Sequence, residues 1–222
     1  MGAEMKATLV DSMGSDLTVV NAARVSFKGH SDILNGKDKR LIVFLAKHGH
    51  WSPFAHVQLQ FRLKAPIFVA RQLVKHQVGL TWNEVSRRYV DTELEFYEPT
   101  IWRKAADNVK QGSSDEPSGW GPRWSNVKNT MTSTQLAVAE YEDAIASGVC
   151  MEQARMLLPQ SMMTEWYWTG SLVAFARIVK QRTHSTAQRE TQEVALLIKQ
   201  EIDNVSGLNN SWSALLKGEH ES

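Results

Sequence analysis

The sequence predicts an α+β fold: an antiparallel or mixed sheet flanked by helices, with a helical C-terminal half. Strand and helix signals fall in separate runs rather than in strict alternation. One segment alternates cleanly, with Val57, Leu59, Phe61 and Leu63 on one side and His56, Gln58, Gln60, Arg62 and Lys64 on the other. Beyond residue 127 helical segments dominate.

In chain order, residues 6–10 read as a first strand. Residues 37–48 read as a helix, because Leu41, Phe44, Leu45 and His48 fall at helical spacing, and Gly49 ends it. Pro66 suits the first turn of a helix running to about His76. Residues 95–97 are strand-like and closed by Pro99. Residues 108–125 carry Gly, Ser and Pro without a period and read as a long surface loop or lid, with Trp120 and Trp124 packed on something. Helices are expected over 127–146 and 151–158, a strand over 166–169 and a helix over 172–182. Trp166 and Trp168 are expected on opposite sides of their strand. A last long helix is expected from near Ser185, with Gln188 completing a capping box and Ala187, Val194, Ala195, Ile198 and Ile202 as its stripe. Residues 207–222 are polar and expected to fray.

Composition narrows the class. Of 222 residues, 42% are apolar, eight are Trp, and the formal net charge is +1, so a packed core is available and a bulk nucleic-acid binder is excluded. Length allows one domain over 1–222. A single Cys excludes a disulfide framework. The longest apolar run is six residues, 41–46, too short to span a membrane. The first residues lack a secretory pattern, and Lys6 stands where a myristoylation signal needs Ser or Thr, so a cytoplasmic protein is expected.

The small net charge hides two basic windows. Residues 71–89 carry +3 and residues 177–189 carry +4, leaving −6 for the remainder. Solvated helix faces are one reading; a converging anion pocket is the other. Arg71 and Lys75 share a helix face in this reading, as do Gln72 and His76, combining a cation, an amide and an imidazole. The stretch 82–89 is dense in hydrogen-bonding groups. Asn83 and Glu84 can read a pyrimidine or flavin edge, and Ser86 with the amides of Arg87 and Arg88 can grip a phosphate.

At these residues the chain resembles the flavin-dependent thymidylate synthases. The segment RQLVKHQVGLTWNEVSRRYV, 71–90, is similar to that family's Arg-His-Arg, seven positions, Ser signature. NAARVSF (21–27), KHGHWSPFAH (47–56), RMLLPQSMMTEWYWTGS (155–171) and QRTHSTAQRE (181–190) resemble further family blocks in the same order. The resemblance implies a thymidylate synthase-complementing-protein-like fold, a homotetramer with shared active sites, and methylation of dUMP at C5 to dTMP. Methylenetetrahydrofolate would supply the carbon, and FAD reduced by NADPH the hydride. It implies Gln72, Lys75, Glu84, Ser86, Arg87, Arg88, Arg155 and Arg182 as substrate-binding residues. Arg182 would also be the catalytic group, stabilising negative charge on the pyrimidine N3/O2 edge. His50, Ser52, Lys75, His76, Gln77, Asn83, Glu84 and Arg177 would face the flavin cofactor. No metal, nucleic acid or membrane is implied.

This sequence departs from the family pattern. Lys75 and Gln77 replace the two arginines of the triplet, losing one bidentate fork and one charge. Eight positions, 78–85, separate Gln77 from Ser86, which requires a bulge, with Gly79 as its place. Ala55 stands at a usual Glu, Ser171 at a usual Asn and Arg177 at another. The departures bear most on FAD phosphate binding, where Arg177 would restore a charge. They leave two alternatives open: a related flavin and folate enzyme acting on another pyrimidine nucleotide or making a hydroxymethyl product, and a nucleotide-binding module without catalysis.

Other reactive side chains have plainer readings. The histidines are not spaced as a metal set. Cys150 lacks basic neighbours and reads as a small buried hydrophobe, not a nucleophile. Ser86 has no base to activate it and reads as a positioning group. Trp51 and Trp82 lie inside the family blocks, where either can stack on a flavin or folate ring.

Overall fold

The computed structural model describes residues 2–86, 93–107, 112–119 and 132–217. The chain divides into two compact units. The sheet unit holds Lys6–Leu63, Leu73–Asn83 and the chain from Trp166 on; the hairpin unit holds the first residues, Lys64–Gln72 and Glu84–Glu165. The strands are β1 (Lys6–Met13), β2 (Gln58–Pro66), β3 (Leu80–Glu84), β4 (Arg103–Ala105), β5 (Ser113–Pro117) and β6 (Met163–Ser171). The helices are α1 (Asp16–Arg24), α2 (Gly36–Lys47), α3 (Ile67–Leu73), α4 (Ser133–Ala146), α5 (Met151–Ala154), α6 (Leu172–Arg182), α7 (Arg189–Asp203) and α8 (Asn209–Lys217). Four strands form one sheet in the order β1-β2-β6-β3. Among the described residues, no helix is long and apolar enough to cross a membrane.

The core of the sheet unit follows from alternation. Leu59, Phe61 and Leu63 of β2 are buried while Arg62 is exposed. On β6, Trp166 and Trp168 are both buried and Tyr167 between them is exposed. The two tryptophans therefore share a face, against expectation, because side chains two apart on a strand point the same way. Trp82 of β3 stacks on Trp166 with ring centres 4.4 Å apart and meets Trp168 edge-on at 5.4 Å. Phe175 continues the cluster to Trp168 and Phe61. Each such aromatic pair contributes about 0.5–1.5 kcal/mol beyond its buried area.

Helix starts follow local chemistry. Asn35 accepts from the amides of Lys37 and Asp38, and Asp38 accepts from the Asn35 amide, so α2 begins on a reciprocal cap. Asp38 is fully buried and paired with Arg24 at 2.5 Å. The buried apolar face of α2 is Ile42 and Leu45, not the expected stripe through Phe44, whose exposed ring lies against His48 at 4.3 Å. The last long helix starts at Arg189, not near Ser185. His184 ties down the preceding turn by accepting from the amides of Thr186 and Ala187, and Gln188 makes no side-chain cap. Residues 207–217 are ordered rather than frayed. Asp16 is buried and accepts from the amides of Asn210 and Ser211, supplying the first turn of α8 with the acceptor it lacks. Leu208, Trp212 and Ala214 then pack inward.

In the hairpin unit, β4 pairs antiparallel with β5, so part of the expected loop over 108–125 is a hairpin arm. The strand-like piece at 95–97 makes only a bridge, Phe96 to Met162. The helix expected over 127–146 appears as α4 from Ser133, capped by Thr132. The segment 151–158 is α5 followed by a 3-10 turn over Arg155–Leu157. Cys150 is exposed at the N-cap of α5, not the buried hydrophobe expected. Trp120 and Trp124 lie outside the described residues.

Candidate active site

Helix α6 is the rigid element of the site. Ser171 caps it by accepting from the Ala174 amide at 3.3 Å. Leu172, Phe175, Ile178 and Val179 anchor its buried side. That packing directs Val173, Arg177, Lys180 and Gln181 to a cleft of about 340 Å³. Its floor includes Leu45, Phe54 and Leu215, and its rim includes His50 and Trp51, the latter 63% exposed. Gly49, with φ of +67°, lets the chain turn sharply after α2 so that the His50 amide bonds the Leu45 carbonyl. Ser52 follows at the start of a 3-10 turn, exposed.

Facing α6 within the sheet unit is the turn between α3 and β3. The helix expected to reach His76 ends at Leu73; the His76 amide bonds the Leu73 carbonyl at 3.0 Å, a tightening that stops the helix. Lys75, His76 and Gln77 therefore lie in a turn and not on the helix that carries Arg71 and Gln72. Gly79, at the end of that turn, has φ of +75°, a left-handed conformation that favours glycine. Gly170 lets β6 approach closely, since a Cβ there would sit 2.5 Å from the Gly79 carbonyl oxygen.

The basic windows meet here through two hydrogen bonds. Arg177 donates from Nη2 to the Val78 carbonyl at 2.6 Å, and Arg182 donates from Nε to Nε2 of His76 at 2.9 Å. His76 is held at a pKa of about 4, first by burial, then by the charges of Arg182 and Arg177. It is neutral near pH 7, and its unprotonated nitrogen accepts the arginine. Lys75 and Gln77 are exposed in the same turn, and Asn83 is exposed near the end of β3. Trp82 commits a ring face to Trp166, leaving Trp51 as the more open aromatic platform.

The remaining expected residues belong to the hairpin unit. Glu84 accepts from the Thr164 hydroxyl at 2.7 Å, and the Val85 amide bonds the Glu165 carbonyl. These contacts fix the backbone before Ser86, which is half-buried. Gln72 is half-buried in the last turn of α3. Arg155 is exposed, its Nε donating to the Glu152 carbonyl at 3.2 Å. Arg87 and Arg88 lie outside the described residues. Sequence reasoning counted Lys180 only as window charge; its spacing of three from Arg177 was the available signal. The Val78 carbonyl had none, being backbone.

Comparison with known proteins follows the same lines. The family model described as thymidylate synthase complementing protein matches residues 8–206. A flavin-dependent thymidylate synthase of Thermosipho africanus is 39% identical over 193 residues, 86% of this chain and 82% of that protein. One of Thermus thermophilus is 38% identical over 210 residues, 93% of this chain and 73% of the other. A crystal structure of the UMP/dUMP methylase PolB from Streptomyces cacaoi, bound with 5-Br dUMP, matches with a TM-score of 0.81 and 31% identity over 96% of this chain and 95% of that one. The family blocks, the mixed α+β architecture and these matches agree, and the chain belongs to the thymidylate synthase complementing protein family.

Proposed function

We propose that the protein is a flavin-dependent methyltransferase that converts dUMP to dTMP. Methylenetetrahydrofolate is the carbon donor and NADPH the reductant of FAD. The observation that carries this reading is Arg182, a cation oriented by a neutral partner at the end of a rigid helix.

The donor set of the sheet unit suits a flavin nucleotide. Arg177 and Lys180 offer positive charge toward a diphosphate, and His50 and Trp51 offer ring faces beside an apolar floor. Ser52, Lys75, Gln77 and Asn83 complete the cofactor residues in this reading, with Arg177 answering the charge lost at Gln77. FAD held by these residues would supply the hydride. Gln72, Lys75, Glu84, Ser86, Arg87, Arg88 and Arg155 bind dUMP. Arg182 directs its terminal nitrogens at the pyrimidine N3/O2 edge. Negative charge drawn to that edge, which polarises the ring for reaction at C5, is stabilised by a donor that needs no reorganisation. Neither Cys150 nor Ser86 serves as nucleophile. A homotetramer with shared sites belongs to the same reading and is checked by light scattering.

The test is direct. Purified protein is expected to be yellow, to bleach with NADPH, and to add a methyl group to dUMP, read by product mass. A colourless protein that ignores added FAD overturns the reading; a hydroxymethyl product redirects the chemistry. UMP is the second substrate to assay, because the solved relative PolB is a UMP/dUMP methylase and also has a structure bound with 5-Br UMP, at a TM-score of 0.80.

A further inference from the structure

We propose that His76 is a positioning residue for Arg182, a neutral imidazole that fixes the guanidinium plane through Nε without cancelling its charge. The inference rests on the reading of Arg182 as the activating group, and departs from the expectation that His76 simply faces the flavin.

Three observations carry it. Both partners are built on fixed backbone. Arg182 is the last residue of α6, whose end is closed by Thr183, donating to the Val179 carbonyl from its amide at 2.9 Å and its hydroxyl at 2.7 Å. His76 sits in the turn pinned by its own amide to Leu73 and by the Leu80 amide to the Gln77 carbonyl.

The contact is made at Nε, not at a terminal nitrogen. An arginine stem has several rotors, and a bond at Nε sets the plane of the whole group and with it the directions of the two terminal nitrogens. Placement within a fraction of an ångström decides whether such nitrogens meet a developing charge.

The third observation is the chemistry of the acceptor. A carboxylate would orient the guanidinium equally well but would neutralise it, and a cation already paired stabilises a new negative charge less. Burial and the neighbouring arginines keep the imidazole unprotonated, so it accepts as a neutral group. Arg177 likewise donates to a neutral acceptor of the same turn, the Val78 carbonyl. The turn thus orients two helix-borne cations without quenching them through these contacts.

The test compares His76→Gln, His76→Glu and His76→Ala in the full chain. Gln places a neutral carbonyl oxygen near the position of Nε2, and Glu places a charged oxygen there. Four quantities are read: kcat, KM for dUMP, the dissociation constant for 5-bromo-dUMP, and flavin absorbance per chain. Ala is expected to lower kcat by roughly 10–100-fold with flavin content held within about twofold. Gln is expected to recover all but a few-fold of that loss. Glu is expected to fall about tenfold or more below Gln in kcat and to bind 5-bromo-dUMP more weakly.

Equal behaviour of Gln and Glu overturns the argument from charge. An Ala variant within about twofold of the parent overturns the positioning role. So does a loss of turnover that tracks loss of bound flavin, which makes His76 a cofactor ligand instead. Arg182→Ala separates the two levels. If that variant keeps turnover, the reading of Arg182 fails. If it is inactive while the His76 series is indistinguishable from the parent, only the positioning role fails.

Discussion

The two basic windows look alike in sequence and work in opposite ways. Residues 177–182 lie on one helix with a buried face, and they act as donors. Residues 74–79 form a turn with no regular repeat, and they act as acceptors, one a carbonyl and one an imidazole. From sequence both read as cationic windows, either solvated helix faces or a converging anion pocket. In the sheet unit the turn instead contributes neutral oxygen and nitrogen lone pairs that orient the helix arginines. Cationic composition says where charge is available; the backbone decides which groups hold it in place.

The largest effect expected from breaking this pairing is at Arg182. Arg182→Ala removes the oriented donor, and kcat is expected to fall by roughly 100–1,000-fold, measured with dUMP by product mass. Next is Arg177→Ala, which frees the Val78 carbonyl and removes a charge from the cleft. FAD affinity is expected to fall about 10–150-fold in a fluorescence titration, the range for losing a charged hydrogen bond. An unchanged FAD affinity would confine Arg177 to holding the turn.

A smaller effect is expected at Gly79→Ala. Its φ of +75° and a neighbouring Ser171 hydroxyl at 3.3 Å from an added Cβ make any side chain unfavourable. The cost is about 1–2 kcal/mol, read as a lower thermal midpoint. A midpoint equal to the parent's would mean that the turn relaxes without strain.

The last effect is the pH dependence of His76. Its folded pKa of about 4 lies below the ordinary 6.5, so between those values the unfolded chain binds a proton that the folded one refuses. The stabilising contribution is complete above about pH 6.5 and is lost progressively as pH falls toward 4. The thermal midpoint of the parent should therefore decline over that interval more steeply than that of His76→Gln. Parallel curves would contradict a neutral, desolvated imidazole.

Much of the fold was legible. The alternation of β2 marked Leu59, Phe61 and Leu63 as buried, and α6 appears over the expected residues because its apolar positions fall on one helical face. The misjudged elements have different causes, one a distant partner and two closer at hand. The polar tail is ordered because Asp16, far away in sequence, caps α8. The helix after Pro66 stops early because the next residues serve a turn shaped by Gly79. Phe44 carries an apolar side chain at helical spacing yet stands exposed, since α2 buries the adjacent Ile42 line instead.

The amino-acid sequence by itself determined the fold class, the family and the set of polar residue types available for the site, because periodicity and ordered motifs are local properties. Only the tertiary structure decided what each group does within the sheet unit. Long-range hydrogen bonds assign donors to α6 and acceptors to the turn, and burial leaves His76 neutral among cations. Such assignments depend on the distance and desolvation of residues about a hundred positions apart, which no local pattern encodes.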